Sequence, residues 1–387
     1  MDHSWQLLGD QVREIAEEWR VLRPHRQARR NLDPIDFARL AEAGILRVAV
    51  PETMGGLWQD PVRSTRPICD LLRTLAAADP SVALVSAMHP AVLGYWLAPQ
   101  DPTSAPWQAQ CRAVFESAVD GCQWGTITSE PGSGGDIFKT KTVATAEPGA
   151  IATLPGESFR LSGDKHFGSG SGVTSFMITT ALVEGATTPD FFVVETRGRP
   201  WDGSAGMTLT AEWDGIGMAA TQSHAMRLES CPAIRLAWEG PIELVAAAVA
   251  PFIPNLFTAV VVGVLDEAFR TAKQQLGPKR DVMRAYERVE WTRAEMEYWL
   301  AMQAFEGALR ATESGNEMAG TYAALRAKES VAELAEESLG RLGKVIGGAT
   351  FSRRSPFAAW MQDVRALGFL RPPWGLAYDN LFATSFR

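Results

Sequence analysis

Cysteine is scarce in this sequence: 4 of 387 residues, at Cys69, Cys111, Cys122 and Cys231, with no CxxC pair and no Cys/His metal spacing. That argues against a disulfide framework or a zinc site and fits reduced thiols in a cytoplasmic protein. A basic excess is missing too. Lys and Arg number 37 against 45 Asp and Glu, for a net charge of −8, which disfavours nucleic acid as a partner because phosphates need a basic surface. Histidine is sparse, and His89, His166 and His224 are scattered, as satisfied or surface rings are. No long apolar run survives: the longest, near 244–265, is interrupted by Pro251, Pro254 and Asn255, too broken for a membrane span. The N-terminus lacks the basic start and apolar core of a secretion signal. Internal repeats and low-complexity segments are also missing.

What is present is ordinary globular composition, 46% hydrophobic and 21% charged, enough for a sizeable core in two or three lobes. Residues 1–120 read as helical, with Val12, Ile15 and Trp19 at helical spacing and a helix start at Asp33-Pro34. Further helical pattern runs from Pro67 to Leu75 and from Ser81 to Leu97. Between 121 and 238 the chain turns to Thr, Val, Phe and Gly, with runs such as FMITTALVE and DFFVVET that read as strands. From 239 to 387 longer helices return, over Val260–Gln275, Ala285–Ala311 and Lys328–Ile346. Blocks of helices, strands and helices predict an α+β fold in segregated lobes rather than βαβ units.

Three segments carry chemical interest. Strand Trp124–Thr128 runs into the loop Ser129-Glu130-Pro131-Gly132-Ser133-Gly134-Gly135-Asp136. Its glycines permit positive φ and leave backbone N–H groups open to a flat ring or a phosphate. Thr126, Thr128 and Ser129 add hydroxyls. The second, Phe159 to Gly172, enters a turn at Ser162-Gly163-Asp164, then a short strand Lys165 to Phe167 and another glycine cluster. Phe167 offers an aromatic face and Ser169 a hydroxyl. The third, Trp213 to Glu229, has a turn at Asp214-Gly215 and a strand from Ala225 to Leu228.

In order and spacing these segments resemble the acyl-CoA dehydrogenase superfamily. Its middle domain carries a Thr-Glu-Pro-x-x-Gly-Ser-Asp loop, a Gly-x-Lys-x-Trp-Ile-Thr-Asn strand and a Leu-Gly-x-Arg-x-Thr-x-Ser strand. Here these are Ser129 to Asp136, Gly163 to Gly170, and Ile216 to Ser223. Flanking matches are Leu40 to Leu46, Val50 to Gly56, Asp79 to Ala83 with His89, and Ile346-Gly347-Gly348. The resemblance implies an N-terminal helical domain (1–120), a middle β-barrel domain (121–238) and a C-terminal four-helix bundle (239–387).

It also implies a flavin, FAD with FMN as the other option. Thr126, Thr128, Ser129, Gly134, Gly135, Phe167 and Ser169 would lie about its ring. Lys273, at the family's pyrophosphate-binding arginine, and Lys344, Gly347 and Gly348 would lie about its tail, in a homo-oligomer. Further partners implied are a small-molecule substrate, possibly an acyl-CoA, and an electron-transfer flavoprotein or a flavin reductase.

Two departures stand out. The family's loop serine is Gly135. The family's catalytic glutamate, eight residues after the aspartate of an Arg-Asp pair, falls on Arg371 when counted from Gln362-Asp363. No catalytic residue can therefore be named. Arg371 and Trp374, around Pro372-Pro373, are expected to line the substrate pocket. Three readings stay open: hydride transfer from an acyl thioester with an unplaced base, a reduced-flavin monooxygenase, which needs no such carboxylate, and a non-catalytic relative. Phe167-Gly168-Ser169-Gly170 favours the second, but the Ser-Glu-Pro loop puts the first, hydride transfer from an acyl thioester, ahead, with the non-catalytic relative last.

Overall fold

A computed structural model describes residues 3–99, 103–149 and 153–386. Its first part holds six helices: α1 (His3–Val21), α2 (Arg23–Ala28), α3 (Pro34–Ala43), α4 (Pro61–Ala76), α5 (Pro80–Leu93) and α6 (Ala105–Val119). Three of them begin at an Asp-Pro step. The carboxylates of Asp33, Asp60 and Asp79 accept from the backbone N–H of Ile35, Arg63 and Val82 at 2.8–3.0 Å, and proline fills the first turn, where its missing N–H costs nothing. The expected start of α4 at Pro67 is corrected to Pro61. Its first two turns bury Ser64 and Thr65, hydroxyls that leave no apolar signature.

Seven strands follow: β1 (Trp124–Thr126), β2 (Val143–Ala146), β3 (Ser158–Gly168), β4 (Phe176–Val183), β5 (Asp190–Glu195), β6 (Met207–Ala211) and β7 (His224–Arg235). Pairing runs β4–β2–β3–β7–β5, and β5 pairs back with β4, so the sheet closes into a barrel. β1 adds parallel to β4, and β6 antiparallel to β7. The run DFFVVE is buried on both faces. Phe192 and Val194 enter the barrel interior with Phe159, Leu161 and Met226, while Phe191 and Val193 join the large helical core. The turn expected at Ser162-Gly163-Asp164 is instead a bulge inside the continuous strand β3. Gly163 permits it, because a β-carbon there would lie 2.4 Å from Thr142 Oγ1.

The last part holds α7 (Ile242–Ala248), α8 (Ile253–Leu276), α9 (Ala285–Glu313), α10 (Glu317–Ile346), α11 (Pro356–Val364) and α12 (Trp374–Thr384). Helix α8 starts at Ile253, ahead of the expected Val260, because Pro254 sits in its first turn rather than breaking it. It packs against α4, α5, α9 and α10. Gly263 brings the α8 and α4 backbones together: a β-carbon there would lie 2.2 Å from the Arg73 carbonyl oxygen. No single helix among the described residues is long and apolar enough to cross a membrane. This architecture of helices, closed barrel and helical bundle agrees with the α+β expectation.

Candidate active site

A cavity of about 930 Å³ opens where the barrel loops meet α5, α8 and the chain after α11. Thr126, Thr128, Ser129, Gly134, Gly135, Phe167 and Ser169 all line it, as do Arg371 and Trp374. Lys273, Lys344, Gly347 and Gly348 do not. Lys273 is exposed and pairs with Glu295 at 3.2 Å, and Lys344, also exposed, pairs with Glu290 at 3.5 Å. Gly347 ends α10 with φ +89°. Among the described residues no group of His, Cys, Asp or Glu could hold a metal ion.

The glycine loop is fixed from below by a buried ion pair that sequence reasoning did not find. Lys165, on β3, is fully buried and donates to Glu130 Oε1 at 2.6 Å and to the Thr180 carbonyl at 2.7 Å. Glu130 also accepts from the N–H of Lys141 at 2.6 Å, from Thr142 Oγ1 at 2.7 Å and from Thr140 Oγ1. Burial pushes the Glu130 carboxyl upward, but Lys165 and these donors outweigh it and hold it at about 2. Burial also brings the Lys165 ammonium down to about 8 against the pull of Glu130. The His166 N–H donates to the Ser129 carbonyl at 2.8 Å, tying the same loop to β3.

The two other loops are joined by a hydroxyl chain. Thr221 donates to the Met218 carbonyl at 2.8 Å, Ser223 lies 2.7 Å from Thr221, and Ser169 lies 2.8 Å from Ser223. Because a hydroxyl has one proton, the chain has one direction. Thr221 spends its proton on Met218, Ser223 donates to Thr221, and Ser169 donates to Ser223. Ser169 thus faces the cavity as an acceptor. Beside it Phe167 is 57% exposed and holds φ +58°, in an edge-to-face contact with Trp213 at 6.1 Å. A positive φ on an aromatic residue is strained backbone, the kind that persists where a ligand is held.

The segment after α11 closes the cavity from above. Arg371 donates to Ser129 Oγ at 3.0 Å and to the Gly135 carbonyl at 3.4 Å. A β-carbon on Gly135, whose φ is +81°, would lie 2.7 Å from Pro373 Cγ. The two departures seen in the sequence meet in space: the missing serine makes room for Pro373, the second of the two prolines after the arginine. Burial brings the Arg371 guanidinium down to about 10, with Tyr95 and Asp136 opposing the fall.

Asp363, at the expected Gln-Asp pair, is buried and accepts from the Met218 N–H at 2.6 Å, which ties α11 to the third loop. Burial pushes it up to about 7, the Met218 N–H opposing and Asp79 adding to the rise. An acid raised from 3.8 to about 7 holds in the fold a proton that the unfolded chain has released. Its contribution is full below the lower value and lost as pH rises through the higher one. Asp363→Asn keeps the acceptor without the charge. It should flatten a fall in melting temperature that the wild type shows between about pH 4 and about pH 7. An equal fall in both proteins would contradict this.

His89 and His224 are buried and satisfied. The first takes the Trp124 N–H on Nδ1 at 3.0 Å and donates from Nε2 to the Leu46 carbonyl at 2.9 Å. The second takes the Trp213 N–H on Nδ1 at 2.9 Å. His166 instead lines the cavity.

No family model matches the chain. Over 351 residues it is 26% identical to the amino sugar nitrososynthase DnmZ of Streptomyces peucetius, covering 87% of this chain and 82% of that one. Its structure superposes on KijD3 in complex with FMN and dTDP-3-amino-2,3,6-trideoxy-4-keto-3-methyl-D-glucose with a TM-score of 0.82 at 21% identity, over 100% of this chain and 94% of the other. TdsC from Paenibacillus sp. A11-2, in complex with FMN and indole, gives 0.79 at 17% identity over 100% and 98%. With its closed barrel between two helical parts, this chain has the fold of the acyl-CoA dehydrogenase superfamily.

Proposed function

We propose that the chain is a flavin-dependent monooxygenase that takes reduced FMN from a separate reductase and oxygenates a small molecule. The observation that carries this reading is the acid content of the cavity. Among the described residues Glu130 is the only Asp or Glu on its wall, and it is committed to Lys165, Thr140, Thr142 and the backbone beneath the loop. Removing the α-proton of an acyl thioester needs a general base within hydrogen-bond reach, a role the acyl-CoA dehydrogenase resemblance assigns to a carboxylate. Asp379, the nearest acid downstream of Arg371, lies on α12 and off the cavity wall.

The residues present suit a flavin. β-Carbons built on Gly132 and Gly134 meet nothing within 4 Å, so the backbone there is open to a ring. The volume, near the upper end for pockets that take drug-sized ligands (about 300–1,000 Å³), leaves room for a ring and a second molecule. When bound, the flavin supplies the oxygen chemistry, and the protein supplies orientation and electrostatics. Ser169, an acceptor, suits a ring N–H, which reduced flavin carries at N5. Phe167 and Trp213 shield the ring from water. The FMN in KijD3 and TdsC supports FMN ahead of the FAD first expected. Lys273, Lys344, Gly347 and Gly348 lie off this chain's cavity and would meet a flavin tail only in a homo-oligomer. The amino sugar nitrososynthase relative supports an amine as one class of oxygenated group.

FMN affinity tests the reading, measured by calorimetry before and after reduction with dithionite. The reduced form should bind more tightly and the purified protein should be colourless. Tightly retained oxidised flavin would contradict it. Replacing Phe167 by glycine separates function from stability. The ring is largely exposed, so unfolding free energy should stay within about 1 kcal/mol of wild type as relief of backbone strain offsets added chain freedom. Reduced-FMN affinity should fall about tenfold or more, as expected for removing an aromatic contact face. Unchanged affinity would remove Phe167 from the site.

A further inference from the structure

We propose that Arg371 is the docking cation for an anionic substrate, one whose carboxylate or phosphate pairs with the guanidinium inside the cavity. The inference rests on the cavity being the substrate site and extends the reading above by naming a substrate class.

The first observation is a cation with no contact ion pair among the described residues, Asp136 acting on it only at longer range. Arg371 hydrogen-bonds only to Ser129 Oγ and the Gly135 carbonyl, both neutral. Among the described residues no carboxylate oxygen lies within ion-pair distance of it. The other cation on the wall is unlike it: Arg365 reaches Glu336 at 3.5 Å. The one acid on the wall, Glu130, belongs to Lys165. The second observation is the surroundings. Leu84, Met88, Phe257, Phe369 and Leu370 make much of the remaining wall apolar. A desolvated charge in such a place is costly unless a ligand pairs with it.

The third observation is geometric. A guanidinium carries five N–H donors in a planar fork, and two of Arg371's contacts point into the glycine loop. The donors left over match the bidentate geometry of a carboxylate or phosphate. Those same two contacts, with Pro373 packed on Gly135, hold the fork in place, so little freedom remains to be lost on binding.

The test uses three probes on one ring system, indole, indole-3-acetate and 3-indoxyl phosphate, with calorimetry on the full chain without flavin. Wild type should bind at least one of the two anions about tenfold or more tightly than indole, as a buried charge-assisted pair implies. Which anion wins distinguishes a carboxylate from a phosphate substrate. Arg371→Gln should lose that preference, bringing the ratio of anion to indole affinity close to one, whatever the change in overall affinity from the lost contacts to Ser129 and Gly135. Arg371→Lys, a point charge without the fork, should retain part of it, and it decides the matter if the glutamine variant fails to fold. A wild-type protein that binds the three probes alike overturns the proposal. So does an Arg371→Gln variant that keeps the anion preference, or one that loses reduced-FMN affinity instead, since the guanidinium would then serve the flavin. Because the three probe titrations need no flavin and no turnover, they can fail while the FMN test on wild type succeeds, and the reverse.

Discussion

Glu130→Ala should destabilise the protein by about 3–5 kcal/mol, the range for removing one partner of a buried ion pair, and should abolish flavin binding. The variant leaves the Lys165 ammonium fully buried, with only the Thr180 carbonyl and Thr140 Oγ1 near it. It also frees the N–H of Lys141 and the hydroxyl of Thr142 and leaves the Thr140 hydroxyl only the Thr180 carbonyl, so both ends of the glycine loop lose their anchor. Lys165→Met alone should be nearly as harmful, because it strands the carboxylate. Together, Glu130→Ala and Lys165→Met should cost much less than the sum of the single changes, since two apolar side chains need no partner. Urea unfolding of the four proteins measures the coupling. Additive costs would mean that the pair does not hold the loop.

Gly135→Val is the second large effect. At φ +81° any β-carbon is strained, by about 1–2 kcal/mol, and here it also meets Pro373 Cγ at 2.7 Å. Pro373 belongs to a stiff Pro-Pro pair, so relief requires the segment after α11 to lift. Lifting breaks the Arg371 contacts to Ser129 and Gly135 and moves Trp374. Ligand affinity should fall about tenfold or more, a loss of roughly 1.4 kcal/mol or greater, with a change in tryptophan fluorescence. Gly134→Ala is the control, because its β-carbon meets nothing within 4 Å and only backbone strain remains. Adding Pro373→Gly to Gly135→Ala should restore affinity in part. If Gly135→Val binds like Gly134→Ala, the close approach of loop and lip has no functional weight.

The layered architecture and the cavity-lining loops were legible because their signals are local. Glycine clusters, Asp-Pro helix starts and blocks of strand and helix pattern are each visible within a dozen residues. Missed features fall into two physical kinds. Some elements lack the pattern a reader uses: α4 opens on buried hydroxyls, and β3 carries a bulge at Gly163 that reads as a turn. Other features are pairings between distant positions. Glu130 with Lys165, Gly135 with Pro373, and Met218 with Asp363 each bring together residues whose individual sequence contexts say nothing of the partner. The loss of the loop serine and of the catalytic glutamate looked like two unrelated departures until Pro373 was seen against Gly135. Lys273, Lys344, Gly347 and Gly348 lie off the cavity of this chain, and only an assembly of copies would give them the role that the resemblance implies.

The account turns on whether any carboxylate can take a proton from a substrate in this cavity. The most direct measurement is an anaerobic titration of the FMN-loaded and FAD-loaded protein with a series of acyl-CoA thioesters, following the flavin absorbance. Dithionite in the same cuvette serves as the control for a reducible bound flavin. The account predicts that dithionite bleaches the flavin and that no acyl-CoA does. Bleaching by any acyl-CoA at a rate comparable to turnover would show that a base reaches the substrate and would contradict it.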